Sequence, residues 1–172
     1  RIGYLMISPY YIFFLVFIVL PIVMNFIFSF TRFDIHSIRF IGIRNYINLF
    51  TDKFFLRALL NTGIYTVFTL GLTMVIGLLF AVILNEEIPL RKTLRTAIFI
   101  PYVTSMVAIS MVWLWMYEPA AGIFNHILAS VGLEKQNWLH DVRLALPSII
   151  VMSVWKLLGY NMVIYLAGLQ AI

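Results

Sequence analysis

The sequence predicts an all-α membrane protein with four transmembrane helices, at about 4–30, 60–85, 95–117 and 145–170, and short interfacial helices in the first and third loops. Composition is the first reason: 63% of residues are hydrophobic and 11% charged, where a soluble domain carries roughly 25% charged residues. The second is the spacing of the charges. None falls between Arg1 and Arg32, from Ala58 to Asn85, or from Thr96 to Tyr117. About 20 apolar residues cross a ~30 Å hydrocarbon core as a helix, so each run is long enough. The third is the closing run from Ala145 to Ile172, which holds a single charge, Lys156.

The first run is too long and too aromatic for a cleavable signal peptide, whose apolar region covers only about 7 to 15 residues. Phe13, Phe14, Phe17, Phe26, Phe28 and Phe30 keep it bulky, and no small-residue cleavage pattern closes it. Pro9 and Pro21 are tolerable in a membrane helix if neighbours satisfy the freed backbone groups, and a kink is expected near Pro21. Phe40 to Tyr46 then reads as extended chain. Tyr46, Leu49, Phe50 and Lys53 recur at helical spacing, so Asn45 to Leu60 reads as a helix in the interface. The alternative is a helix continuous with the second span.

Within the second span, Thr62, Thr66, Thr69, Thr73, Gly77 and Ala81 line one stripe. Small side chains let helix backbones approach in lipid, which favours close packing; a polar conduit is the alternative. Pro89 breaks the charged bend from Asn85 to Arg95. The third span has Pro101 early and Trp113, Trp115 and Tyr117 late, an aromatic end that marks a headgroup belt. A sugar-stacking role for one tryptophan is the alternative. Phe124, Ile127, Leu128 and Val131 then line one face of a short amphipathic helix ended by Gly132 and placed on the membrane surface.

The fourth span carries the most informative residue. A charge at mid-bilayer costs at least ~2.5 kcal/mol, so Lys156 should face protein or a water-filled path. Ser153, Lys156, Leu157 and Tyr160 fall on one helix face at i, i+3, i+4 and i+7. Tyr160 could lay its ring against an apolar surface while its hydroxyl bonds, with Ser153 and Lys156 as polar partners. Alternatively, Lys156 pairs with a carboxylate or a backbone carbonyl on another helix. Trp155 and Asn161 lie partly off that face and suit helix packing, and Gly159 suits close backbone approach.

Other chemistry finds little support. With no cysteine there is neither a disulfide framework nor a thiolate metal site. His36, His126 and His140 sit in loops without metal-ligand spacing, and HExxH, GxSxG and phosphate-loop patterns are missing, so the chain is not expected to be an enzyme or to need a cofactor. The acidic residues are loop-bound, which leaves no intramembrane carboxylate for a proton relay. A net charge of +5 spread through loops does not suggest nucleic acid, and anionic lipid headgroups are the simpler partner. Charge counting leaves orientation open. A cytoplasmic N-terminus puts Arg1, Arg91, Lys92 and Arg95 inside and seven positive charges outside, against the positive-inside tendency.

An ordered series of fragments now becomes significant. Phe40-Ile41-Gly42-Ile43-Arg44-Asn45-Tyr46, Asn61-Thr62, Leu84-Asn85 and Phe99-Ile100-Pro101 are followed by Gly122-Ile123-Phe124-Asn125, Asn137-Trp138-Leu139 and Ala145-Leu146-Pro147. Trp155, Gly159-Tyr160-Asn161-Met162 and Leu166-Ala167-Gly168-Leu169-Gln170 complete it. Together these resemble the membrane permease subunits of bacterial ABC sugar importers of the maltose and glycerol-phosphate type, particularly the first of the two paired permeases.

The resemblance implies the N-terminal part of a six-helix type I importer permease in the bacterial cell membrane, multi-pass, with its N-terminus cytoplasmic and its first and third loops external. Residues 1–60 would hold the first helix and external loop, and 61–172 an incomplete transmembrane domain. It implies a second permease subunit, a dimeric cytoplasmic ABC ATPase that hydrolyses the ATP, and an extracytoplasmic sugar-binding protein. Family members continue past Leu-Gln-x-Ile into a Glu-Ala-Ala loop that docks on the ATPase, and the sequence ends at Ile172, as expected of a front part. The helix corresponding to the fourth span lines the sugar site in the maltose type, which makes Tyr160, Ser153, Lys156 and Leu157 the expected pathway residues. An autonomous four-helix membrane channel or assembly subunit, with a structural Lys156, is the alternative.

Overall fold

A computed structural model describes residues 2–34 and 37–170. His36 and the closing residues Ala171 and Ile172 lie outside the described residues. The chain divides into two compact units, 1–59 and 60–172.

In the first unit, α1 (Ile2–Phe14) passes through a π-helical segment, Leu15–Val19, into α2 (Leu20–Phe28). Pro21 has no N–H, and its ring crowds the carbonyl of Phe17 one turn back. Directly before the proline the helix opens into a widened turn, with the Leu20 N–H donating to the Leu15 carbonyl. After α2 the chain forms an antiparallel hairpin of β1 (Thr31–Asp34) and β2 (Ser37–Phe40), in register Thr31 with Phe40 and Arg32 with Arg39.

The extended entry expected over Phe40 to Tyr46 is corrected: the strands lie earlier, at 31–34 and 37–40, and Arg44 to Tyr46 are already helical. Gly42 turns the chain with a φ of +60°, which glycine adopts without a Cβ clash. Helix α3 (Arg44–Thr51) is then pinned to the end of α2, because the Asn45 side-chain amide donates to the Ser29 and Thr31 carbonyls at 2.8 and 2.9 Å.

The expected interfacial helix over Asn45 to Leu60 divides in two. Asp52 is extended (ψ 116°), and its carboxylate accepts the Phe54 N–H at 2.7 Å, starting α4 (Lys53–Asn85). Only α3 is a separate loop helix, and 53–60 is continuous with the second span. At 33 residues, α4 is about 50 Å long, well beyond a ~30 Å core.

The second unit holds the rest of α4 with α5 (Arg91–Val103), α6 (Met106–Met116), α7 (Ile123–Ser130) and α8 (Ala145–Leu169). The small-residue stripe is buried from Thr69 through Thr73 and Gly77 to Ala81, whereas Thr62 and Thr66 are exposed. A Cβ on Gly77 would sit 3.0 Å from that of Asn161 and 3.3 Å from the Met162 nitrogen, so the stripe is where α4 meets α8. Ala81, Leu84, Met162 and Leu166 form one core cluster there. Ile109, Trp113 and Tyr117 form a second, packed by Phe124, Trp138, Leu139 and Met152.

Trp113 and Tyr117 therefore do not form a headgroup belt: they are 8% and 6% exposed, and the Tyr117 hydroxyl donates to the Ser148 carbonyl at 2.9 Å. Trp115, 60% exposed, faces outward. The third span is also not one helix. Among the described residues, three helices are long and apolar enough to span, Gly3–Phe28, Lys53–Asn85 and Ala145–Leu169; α5 and α6 qualify only as a pair bent by 99°.

Candidate functional site

The bend between α5 and α6 organises the candidate site. Thr104 and Ser105 are both extended (ψ 145° and 132°), so two residues suffice to turn the chain. A helix end leaves its last four carbonyls without intrahelical donors. The Thr104 N–H and hydroxyl close back on Ile100 at 3.1 and 2.8 Å. The next carbonyls are taken by Lys156 of α8, whose Nζ donates to Pro101, Tyr102 and Thr104 at 3.2, 3.3 and 3.0 Å. An ammonium has three N–H donors, and all three fall on these carbonyls. Of the partners the sequence left open for Lys156, backbone carbonyls are the ones present.

Gly159 lets the two helices approach this closely. A Cβ there would overlap the Ile98 carbonyl oxygen and lie 2.7 Å from the Phe99 Cα. One residue further along, Tyr160 stacks on Tyr102, ring centroids 4.8 Å apart and planes 23° from parallel. Tyr160 remains 44% exposed, so the stack on Tyr102 leaves much of its side chain uncovered. Leu157, one turn earlier, is half-buried.

Ser153 is 3% exposed, and its hydroxyl accepts from Tyr65 of α4 at 3.0 Å. The four expected residues thus lie on one helix but in different settings: Tyr160 open, Leu157 and Lys156 half-buried, Ser153 enclosed. Trp155 is 43% exposed and meets Trp113 edge-on at 5.6 Å, which is a packing contact.

Sequence reasoning missed Tyr65 and Tyr102. Tyr65 lies beside the threonine stripe and Tyr102 directly follows Pro101, but neither position signals a partner across helices. A groove of about 600 Å³ shares no residue with this site. Met106, Met111, Trp113 and Leu114 help line it, and its apolar walls suit lipid or another helix rather than a hydroxylated solute. By contrast, the phenols of Tyr65, Tyr102 and Tyr160 and the hydroxyl of Ser153 combine aromatic faces with neutral hydrogen-bonding groups.

The third loop is held by polar bonds. Asn125, fully buried, donates to the Pro119 and Gln136 carbonyls and accepts from the Gln136 N–H and the Trp138 indole. The Glu118 carboxylate accepts the Ala121 N–H, and the Lys135 ammonium donates to the Ala120 carbonyl at 3.0 Å. Backbone N–H groups of Ala121 and Ala120 hold the Glu118 carboxyl below its ordinary value; partial burial opposes this, and Gly122 and Lys135 add to it.

No family model matches the chain. Curated relatives do. It is 35% identical to the trehalose/maltose transport system permease protein MalF of Thermococcus litoralis, over 100% of this chain and 59% of that protein. It is 33% identical to the arabinooligosaccharides transport system permease protein AraP of Bacillus subtilis, over 97% of this chain and 54% of that protein. Among solved structures, a bacterial ABC transporter involved in the import of the acidic polysaccharide alginate superposes with a TM-score of 0.86 at 26% identity, over 99% of this chain and 58% of the matched one. The chain thus spans a little over half the length of these relatives.

Proposed function

The chain belongs to the permease subunits of sugar ABC transporters, and from that premise we propose that it forms part of the translocation pathway of an ATP-driven, binding-protein-dependent sugar importer. The observation that carries this is the similarity to sugar permeases along nearly the whole chain, in sequence and in fold. The solute is a hydroxylated sugar or oligosaccharide. Tyr160 of α8 contacts it with the open side of its ring, Leu157 borders it, and Ser153 and Lys156 hold the surrounding helices in place.

In this reading a second permease subunit completes the cavity, two cytoplasmic ATPase subunits drive it, and an extracytoplasmic binding protein delivers the solute. The last is supported by the alginate transporter, which has also been crystallised with an alginate pentasaccharide-bound periplasmic protein. ATP binding would supply the differential affinity that shifts the cavity between outward and inward openings. Four spans cross the bacterial cell membrane from a cytoplasmic N-terminus, the bent α5–α6 pair serving as the third, with α3 and α7 on the outer surface.

Purification in detergent of the gene product that carries this sequence, with mass spectrometry of what travels with it, tests the proposal. Recovery of a second permease and an ATPase supports it. Recovery of the chain alone, or only with itself, would favour an autonomous membrane protein.

A further inference from the structure

The bend between α5 and α6 leaves backbone carbonyls without intrahelical donors, and within a bilayer such irregular backbone persists only where protein or enclosed water satisfies it. Among the described residues of the second unit, α4, α6 and α8 contribute no charge near Pro101 other than Lys156; the charges of α5 are Arg91, Lys92 and Arg95, all positive and more than one turn before Pro101. No carboxylate of these helices can neutralise the ammonium. The partial negative charge at the C-terminal end of α5 does so instead.

We propose that Lys156 is a positioning residue that holds the end of α5 against α8, and so sets the placement of Tyr102 against Tyr160 at the pathway. Its three bonds reach the last turn of α5, at Pro101 and Tyr102, and the extended linker at Thr104, so one side chain fixes both the helix end and the turn that leaves it. Tyr102 contributes a carbonyl to Lys156 and its ring to Tyr160. Loss of the ammonium therefore frees that ring as well as the bend. The inference rests on the proposed function only for what Tyr160 touches.

The test is cross-linking between α5 and α8 in the assembled complex. These 172 residues contain no cysteine, so Tyr102→Cys with Tyr160→Cys introduces the only thiols of this sequence. A short bifunctional thiol reagent should join them readily. Adding Lys156→Met should lower the cross-linked fraction about tenfold, as expected for the loss of a charge-assisted hydrogen bond, and Lys156→Arg should restore most of it.

Unchanged cross-linking in Lys156→Met would overturn the proposal. If Lys156→Met does not assemble, Lys156→Gln, which keeps donors but no charge, is compared with Lys156→Arg: a lower yield in Gln supports the proposal and equal yields overturn it. No solute is present in the assay, so failure of this inference is distinct from failure of the transport reading, which uptake measures separately.

Discussion

The ring of Tyr160 lies on that of Tyr102, centroids 4.8 Å apart, across the contact between α8 and α5. This pair joins an exposed aromatic of the candidate site to the bend between α5 and α6. Substitutions at Tyr160, Gly159, Asn125 and Glu118 should separate contact with solute from support of the fold.

Tyr160→Ala should lower solute uptake per assembled complex by about tenfold or more, since it removes a large aromatic contact surface. Complex recovery should stay near wild type, because the ring is 44% exposed. Tyr160→Phe keeps the stack on Tyr102 and should retain assembly, with its deficit confined to the solute concentration needed for half-maximal uptake. Equal loss of uptake and of assembled complex in Tyr160→Ala would mark the tyrosine as a packing residue.

Gly159→Ala should destabilise the protein, because the added methyl overlaps the Ile98 carbonyl. Overpacking of this kind costs about 1–3 kcal/mol. Thermal unfolding of the purified complex should shift downward, whereas Gly168→Ala, where a Cβ meets nothing within 4 Å, should leave it unchanged.

Asn125→Leu should loosen the third loop. It removes four hydrogen bonds and leaves the Gln136 N–H and the Trp138 indole without their acceptor. Each stranded buried group costs about 1–3 kcal/mol. Hydrogen exchange should rise between Pro119 and Leu144 and stay unchanged at the centre of α4.

Glu118 makes the same loop sensitive to acid. Its folded pKa is depressed below the ordinary 4.5, chiefly by the Ala121 and Ala120 N–H groups. A depressed carboxylate stabilises the fold fully above its unfolded pKa, and the contribution is lost as pH falls through the folded value. Protection of the loop from proteolysis by an acid-active protease should therefore hold near pH 4.5 and fall below it. Glu118→Gln should be less protected than the wild type near pH 4.5 and show a flatter response to further acid.

Much of this architecture is legible in charge spacing. The run without charges up to Lys156, and again beyond it, marks α8, and the stripe from Thr69 to Ala81 marks the face that α8 covers. The bend at Thr104 and Ser105 is not legible, because hydropathy reports the cost of transfer into lipid and says nothing of direction: the apolar run continues straight through it. The β1–β2 hairpin escapes notice for a related reason. Each strand has four residues, too few for a period, and Arg32 pairs with Arg39 against the usual preference for opposite charges.

Trp113 and Tyr117 look like headgroup anchors until α7 and the third loop fold over them. At Lys156, the sequence locates the charge and predicts that it faces protein or a water-filled path rather than lipid. It cannot name the partners, since backbone carbonyls are present at every position and become available only where a helix ends.

The most direct measurement is labelling of the Tyr160→Cys thiol with a membrane-impermeant reagent in the reconstituted complex. If Tyr160 lines the pathway, labelling should differ between nucleotide-free and ATP-bound states and should be slowed by transported solute. Equal labelling in both states with no effect of solute, or reaction only with a lipid-soluble reagent, would place Tyr160 outside the pathway and contradict the proposed role of α8.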